Sequence, residues 1–207
     1  MAAPTKIMVM RHAEKPYGKN GGIDEHGQEN KECLIVRGWQ RAGGLVALFD
    51  PSVGPSQSPN LSVPTAIYAS KPVSMTGKGA DHKVESKSKR PHETIKPLAE
   101  RLGFRPSLHF ELGQEKELVD DALTRTGIVL ICWQHQAIPK IAKHIVATSP
   151  PNPPYPASWP GDRFDIVWVF TPPAASSAPW DFVQVPQQLL AGDTDAVISL
   201  SPAQTAA

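Results

Sequence analysis

Four short, mostly apolar runs punctuate the chain: IMVM (Ile7–Met10), AIYA (Ala66–Ala69), IVLIC (Ile128–Cys132) and FDIVWVF (Phe164–Phe170). Each has the length of a strand and little polar alternation, which predicts strands covered on both faces, as in a parallel sheet. SLHFEL (Ser107–Leu112) is a weaker strand candidate, and the alternating DFVQVP (Asp181–Pro186) reads as an edge strand. Between these runs the spacing becomes helical. GWQRAGGLVALF places Trp39, Ala42, Leu45, Val46 and Phe49 at helical intervals. RPHETIKPLAERLG sets Thr94, Ile95, Leu98 and Leu102 on one face, with Gly103 as its C-cap. Pro97 inside that stretch predicts a kink or a late start. QEKELVDDALTRTG, ending at Gly127, and QAIPKIAKHIVATS complete the helices. Strands alternating with helices predict an α/β domain, here a three-layer α/β/α sandwich with a mostly parallel central sheet.

Composition refines this picture at few points. A length of 207 residues suits one domain, and residues 1–207 are read as one. Proline, at 22 residues, is about twice its usual share of roughly 5% and predicts long ordered loops. Three loop insertions are read near 50–64, 71–90 and 149–162, the first and last Pro/Ser-rich and ordered or not. The second is basic, with Lys71, Lys78, Lys83, Lys87, Lys89 and Arg90 against Asp81 and Glu85. A net charge of +1 argues against nucleic acid or a membrane surface as partner. Cys33 and Cys132 make no disulfide framework. No apolar stretch reaches the roughly 18 residues of a membrane span, and nothing before Lys6 resembles a signal peptide. The expectation is a soluble cytoplasmic protein.

Chemistry concentrates at strand ends. In open α/β sheets, ligands bind beyond the carboxyl ends of the strands. The first run delivers Arg11 and His12 there, the second Ser70 and Lys71 with Arg90 at the next helix start, and IVLICW delivers Gln134 and His135. Two arginine forks can grip a phosphoryl group bidentately, and a histidine beside them can attack it. A second histidine adds hydrogen bonds to the transferring group. His26, His82, His92, His109 and His144 are scattered singles, read as surface or structural residues. GKGADH lacks the strand–loop–helix setting of a P-loop.

This set resembles the histidine phosphatase superfamily, the phosphoglycerate mutase-like proteins. The family's Arg-His-Gly-Glu signature is matched by Arg11-His12-Ala13-Glu14. Its Gly-x-x-Gln-Ala helix start is approached by Gly38, Gln40 and Ala42. Its Ser-x-x-x-Arg-Ala-x-x-Thr-Ala pattern is matched by Ser70, and by Arg90 four residues before Thr94, with the basic insertion between. Its second histidine is matched by His135, so the likeness spans roughly Lys6 to Val146.

The resemblance implies a phosphatase that forms a phosphohistidine on His12, with Arg11, Arg90 and His135 completing the phosphate pocket and no metal or organic cofactor. Substrates in that case are small phosphomonoesters or phosphoproteins. Family members supply a carboxylate to the leaving group after the third strand, for which Glu111 is the choice over Glu115 and Glu117. The contrasting reading places all three acids on a solvated helix start. Glu14 is expected to orient the pocket rather than to donate. Lys71, Lys78 and Lys83 either recruit an anionic substrate through their local field or belong to a solvated mobile loop. The alternatives are a phosphoglycerate mutase-type phosphotransferase and a catalytically silent phosphate-binding module of the same fold.

Overall fold

The computed structural model describes residues 3–72, 87–174 and 178–200. Strands β1 (Pro4–Arg11), β2 (Ala66–Ala69), β3 (Gly127–Trp133), β4 (Ile166–Thr171) and β5 (Asp181–Pro186) form one sheet in the order β2-β3-β1-β4-β5. Helices α1 (Val36–Phe49), α2 (Arg90–Leu102), α3 (Glu115–Ala122) and α4 (Ile138–Val146) connect them, with a 3₁₀ turn at His135–Ala137.

Each strand sends alternate side chains to opposite faces, and two cores result. Ile7 and Val9 of β1, with Val129, Ile131 and Trp168, pack against Leu118, Val119, Ile138, Ile141 and Ile145 of α3 and α4. Met8 and Met10, with Leu130, Val167 and Val169, pack against Leu45, Leu48, Phe49, Ile95 and Leu98 of α1 and α2. Apolar burial on both faces explains why the sequence shows runs rather than alternation.

The sheet is mixed, which corrects the expectation of a mostly parallel one. β1–β3 and β2–β3 are parallel, whereas β1–β4 and β4–β5 are antiparallel. The cause lies in the Pro-rich stretch after α4. It returns the chain to the carboxyl end of β1, where Met10 pairs with Val167 at the start of β4. β4 therefore begins where a parallel strand would end.

Smaller differences have similar local causes. SLHFEL forms no strand; Ser107 makes a single bridge to Tyr68. The third helix stops at Ala122, and Gly127, at φ 78°, opens β3 instead, its missing Cβ leaving room for the Thr65 side chain 2.6 Å from that position. The helix containing Pro97 starts at Arg90 with Pro91 in its first turn, so it does not start late. Gly103 caps it in the left-handed conformation at φ 74°, as its spacing predicts. DFVQVP is the edge strand β5. Among the described residues no helix is long and apolar enough to cross a membrane.

Candidate active site

β1 ends in a turn held from three sides. The His12 amide donates to the Trp133 carbonyl at 3.0 Å, extending the pairing with β3. The Ala13 amide donates to Thr94 Oγ1 at 2.8 Å, and that hydroxyl donates to the Arg90 carbonyl at 2.7 Å, tying the turn to the start of α2. Helix α1 presses on the same turn through Gly38, where a Cβ would lie 2.6 Å from the Glu14 carbonyl oxygen. Only glycine permits that approach without moving the backbone. The likeness at Gly38 thus has a packing reason.

His12 is buried, with its Nδ1 2.7 Å from the Ala13 carbonyl oxygen. A carbonyl can only accept, so Nδ1 carries the proton and the Nε2 lone pair is free in the neutral ring. Burial first, then the charges of Arg11, Arg90 and His135, holds the His12 pKa well below the usual histidine value, outweighing the Ala13 hydrogen bond. The imidazole is therefore neutral at pH 7.

Arg11 is 1% exposed, and its Nη1 donates to the carbonyls of Pro160, Gly161 and Arg163 at 3.3, 2.7 and 3.1 Å. Its guanidinium carbon lies 3.7 Å from the Phe164 ring centroid. Its Nε and Nη2 are buried without a hydrogen-bond partner, as are Nε of Arg90 and Nδ1 of His135. Each buried polar group left unmatched costs about 1–3 kcal/mol. Burial, with the Arg90 charge, pushes the Arg11 pKa down to about 10, while Glu14 and Asp162 act in the opposite direction. Burial, then Arg11 and Lys15, pushes His135 down to about 4. Lys15 is itself lowered by burial and by Arg11 and Arg90. Cationic and polar nitrogens thus surround one neutral histidine, an arrangement whose electrostatics favour an anion with several acceptor oxygens.

Glu14 belongs to a neighbouring network. It accepts from Arg41 Nε at 3.1 Å and Nη2 at 2.8 Å, and pairs with Arg37 Nε at 3.2 Å. Asp193 accepts from Arg41 Nη1 and Nη2 at 2.9 and 2.7 Å. Arg41 is raised on balance: burial lowers it, but the bonds from Asp193 and Glu14 prevail. So engaged, Glu14 ties the turn to α1.

The other residues singled out in the sequence fall in several places. Ser70 is buried and accepts from Gln134 Nε2 at 2.9 Å, joining the ends of β2 and β3. Glu111 reaches the carboxyl edge beside β2 and pairs with Lys71 at 3.5 Å. Glu115 is buried and accepts from Trp133 Nε1 at 3.1 Å and from the Gly113 amide at 2.9 Å, while Glu117 is exposed. Lys78 and Lys83 lie outside the described residues. No group of three or more His, Cys, Asp or Glu among the described residues could hold a metal ion.

Sequence reasoning missed two contributors. Lys15 follows Glu14 directly and adds positive charge near Arg11 and His135. The Pro-rich loop before β4 supplies the three carbonyls that hold Arg11. Trp159 fastens that loop to the sheet, 5.0 Å from Trp168 between ring centroids, and donates from Nε1 to the Arg163 carbonyl at 2.8 Å.

The buried neutral histidines give a pH prediction. His12 and His135 are depressed in the folded state, so the unfolded chain binds more protons between about pH 4 and the ordinary histidine value near 6.5. The His135 contribution is complete above about pH 6.5 and is lost as pH falls toward about 4, and His12 acts in the same direction. Thermal unfolding should show a Tm that drops between pH 7 and pH 4.5, with a shallower drop in His12→Ala. An equal drop in both proteins would remove His12 from the account.

No family model and no curated protein matches this chain. A solved structure titled "Mycobacterial hydrolase 2" is similar at a TM-score of 0.43 and 10% identity, over 96% of this chain and 94% of that one. A likeness at that level assigns neither a family nor a reaction.

Proposed function

We propose that the chain is a histidine phosphatase, hydrolysing a phosphomonoester or a phosphoprotein through a phosphohistidine on His12. In this reading the helix-bearing cores on the two faces of the sheet make it a three-layer α/β/α sandwich. The observation that carries the proposal is the set of buried, unmatched nitrogens of Arg11, Arg90 and His135 around a neutral His12. Phosphoryl oxygens would complete Arg11 Nε and Nη2 and Arg90 Nε, with His135 alongside. His12 Nε2 attacks phosphorus as the ester oxygen leaves. The developing ring charge is stabilised by the Nδ1–H bond to the Ala13 carbonyl. Water then cleaves the P–N bond and releases phosphate. Because phosphoryl transfer runs through a loose transition state, positioning and charge do most of the work.

An assay on a generic aryl phosphate tests this reading. Wild type should turn over, and His12→Ala should lose at least about a thousandfold, as expected when a covalent nucleophile is removed. Turnover that survives His12→Ala would refute the nucleophile. A wild type that binds phosphate without turnover would instead indicate a silent phosphate-binding module.

A further inference from the structure

Resting on the phosphatase reading, we infer that Asp162 is the acid that protonates the leaving group. Its loop is built into the pocket. The Gly161 carbonyl accepts from Arg11 Nη1, and a Cβ at Gly161 would lie 3.7 Å from His135 Nε2. Residue 161 therefore sits against both groups that would hold the phosphoryl oxygens, and the next residue is a carboxylate.

Asp162 also borders a cleft of about 250 Å³ together with Glu14, Tyr17, Arg37 and Phe164. Phe164 stacks on Arg11 and lies 6.2 Å from the His12 ring between centroids, so it forms the wall shared by the cleft and the phosphate pocket. An ester whose phosphoryl group met Arg11 and His12 could extend its leaving group into that cleft, past Asp162. The Asp162 charge acting on Arg11 agrees with this closeness.

The competing carboxylates are engaged elsewhere. Glu14 is held by Arg41 and Arg37, and Glu115 by Trp133 and the Gly113 amide. Asp165 accepts from Arg163 Nε and the Thr194 amide. Glu93 accepts from the Leu34 amide, and Glu111 pairs with Lys71. Asp162 is exposed and makes no hydrogen bond or ion pair among the described residues, so no side chain there holds it away from the cleft.

The proton inventory closes. As His12 Nε2 bonds to phosphorus and the P–O ester bond breaks, the Asp162 carboxylic acid gives its proton to the departing oxygen, and an alcohol leaves. The resulting carboxylate takes a proton from the water that attacks phosphohistidine. The P–N bond breaks, phosphate departs and the acid is restored.

Leaving-group dependence tests the assignment. Asp162→Asn and Glu111→Gln are each assayed on an alkyl phosphate, which needs protonation, and on p-nitrophenyl phosphate, which scarcely does. Asp162→Asn should lower kcat on the alkyl ester by about 10²–10⁴, the usual range for general acid catalysis, and on p-nitrophenyl phosphate by less than about tenfold. The near-normal second rate doubles as the check that the variant is folded. Equal effects on the two esters, or a selective loss in Glu111→Gln instead, would overturn the proposal. His12→Ala should be inactive on both. Should it remain active, the phosphatase reading itself falls, an outcome distinct from failure of Asp162.

Discussion

Arg11→Ala is expected to lower kcat/KM for an aryl phosphate by at least about 10²–10³, the cost of removing one preorganised donor to a developing oxyanion. The effect is large because the side chain serves two purposes at once. Nη1 holds the Pro160, Gly161 and Arg163 carbonyls, while Nε and Nη2 are buried without a hydrogen-bond partner. Truncation would release the loop that carries Asp162 and, on the proposed function, remove phosphoryl ligands as well. Arg11→Lys should not restore the rate, since a point charge cannot satisfy the carbonyls and a phosphoryl group with one planar fork. Steady-state kinetics on the three proteins decide it. A lysine variant close to wild type would show that bulk charge, not geometry, is what the site uses.

Arg41→Met should produce the largest loss of stability, about 3–5 kcal/mol, because it breaks a buried ion network by removing one side. The Arg41 side chain is 2% exposed, and those of Glu14 and Asp193 are 8% and 4%. Without Arg41 the two carboxylates remain out of water, with Arg37 as partner, itself 39% exposed and 3.6 Å from Asp193. Arg37→Ala should cost much less, at most about 1 kcal/mol, as for other solvent-reached pairs. Urea denaturation gives both values from the shift in midpoint. A loss in Arg41→Met no greater than that in Arg37→Ala would mean that the network contributes little to the fold.

How much of this was legible in the sequence follows from strand direction. Residues that come just after an apolar run lie at the carboxyl edge only where the strand runs parallel to its neighbours. That rule holds for β1, β2 and β3, which run parallel, and it brought Arg11, His12, Ser70 and His135 to one edge. It fails for β4, whose antiparallel course puts the residues before it at that edge. Asp162 and the loop carbonyls are therefore invisible to it, although the Pro-rich composition marks the segment as a loop. The run FDIVWVF looks the same in either direction, since burial on both faces sets its pattern and direction does not. Glu111 shows the complementary limit. It reaches the carboxyl edge beside β2 as expected, yet its ion pair with Lys71 depends on backbone pairing between Lys71 and Phe110 that no local pattern encodes. The Arg41–Asp193 contact joins residues 152 positions apart, so it is a product of the tertiary fold alone.

The most direct measurement is to quench the protein in alkali during turnover of an aryl phosphate and locate the trapped phosphoryl group by peptide mass spectrometry, with NMR to distinguish the ring nitrogens. Alkali preserves phosphohistidine, which acid would destroy. One phosphoryl group is expected on His12, attached at Nε2 because Nδ1 is committed to the Ala13 carbonyl. A phosphoryl group on any other residue, or on Nδ1, would contradict this assignment.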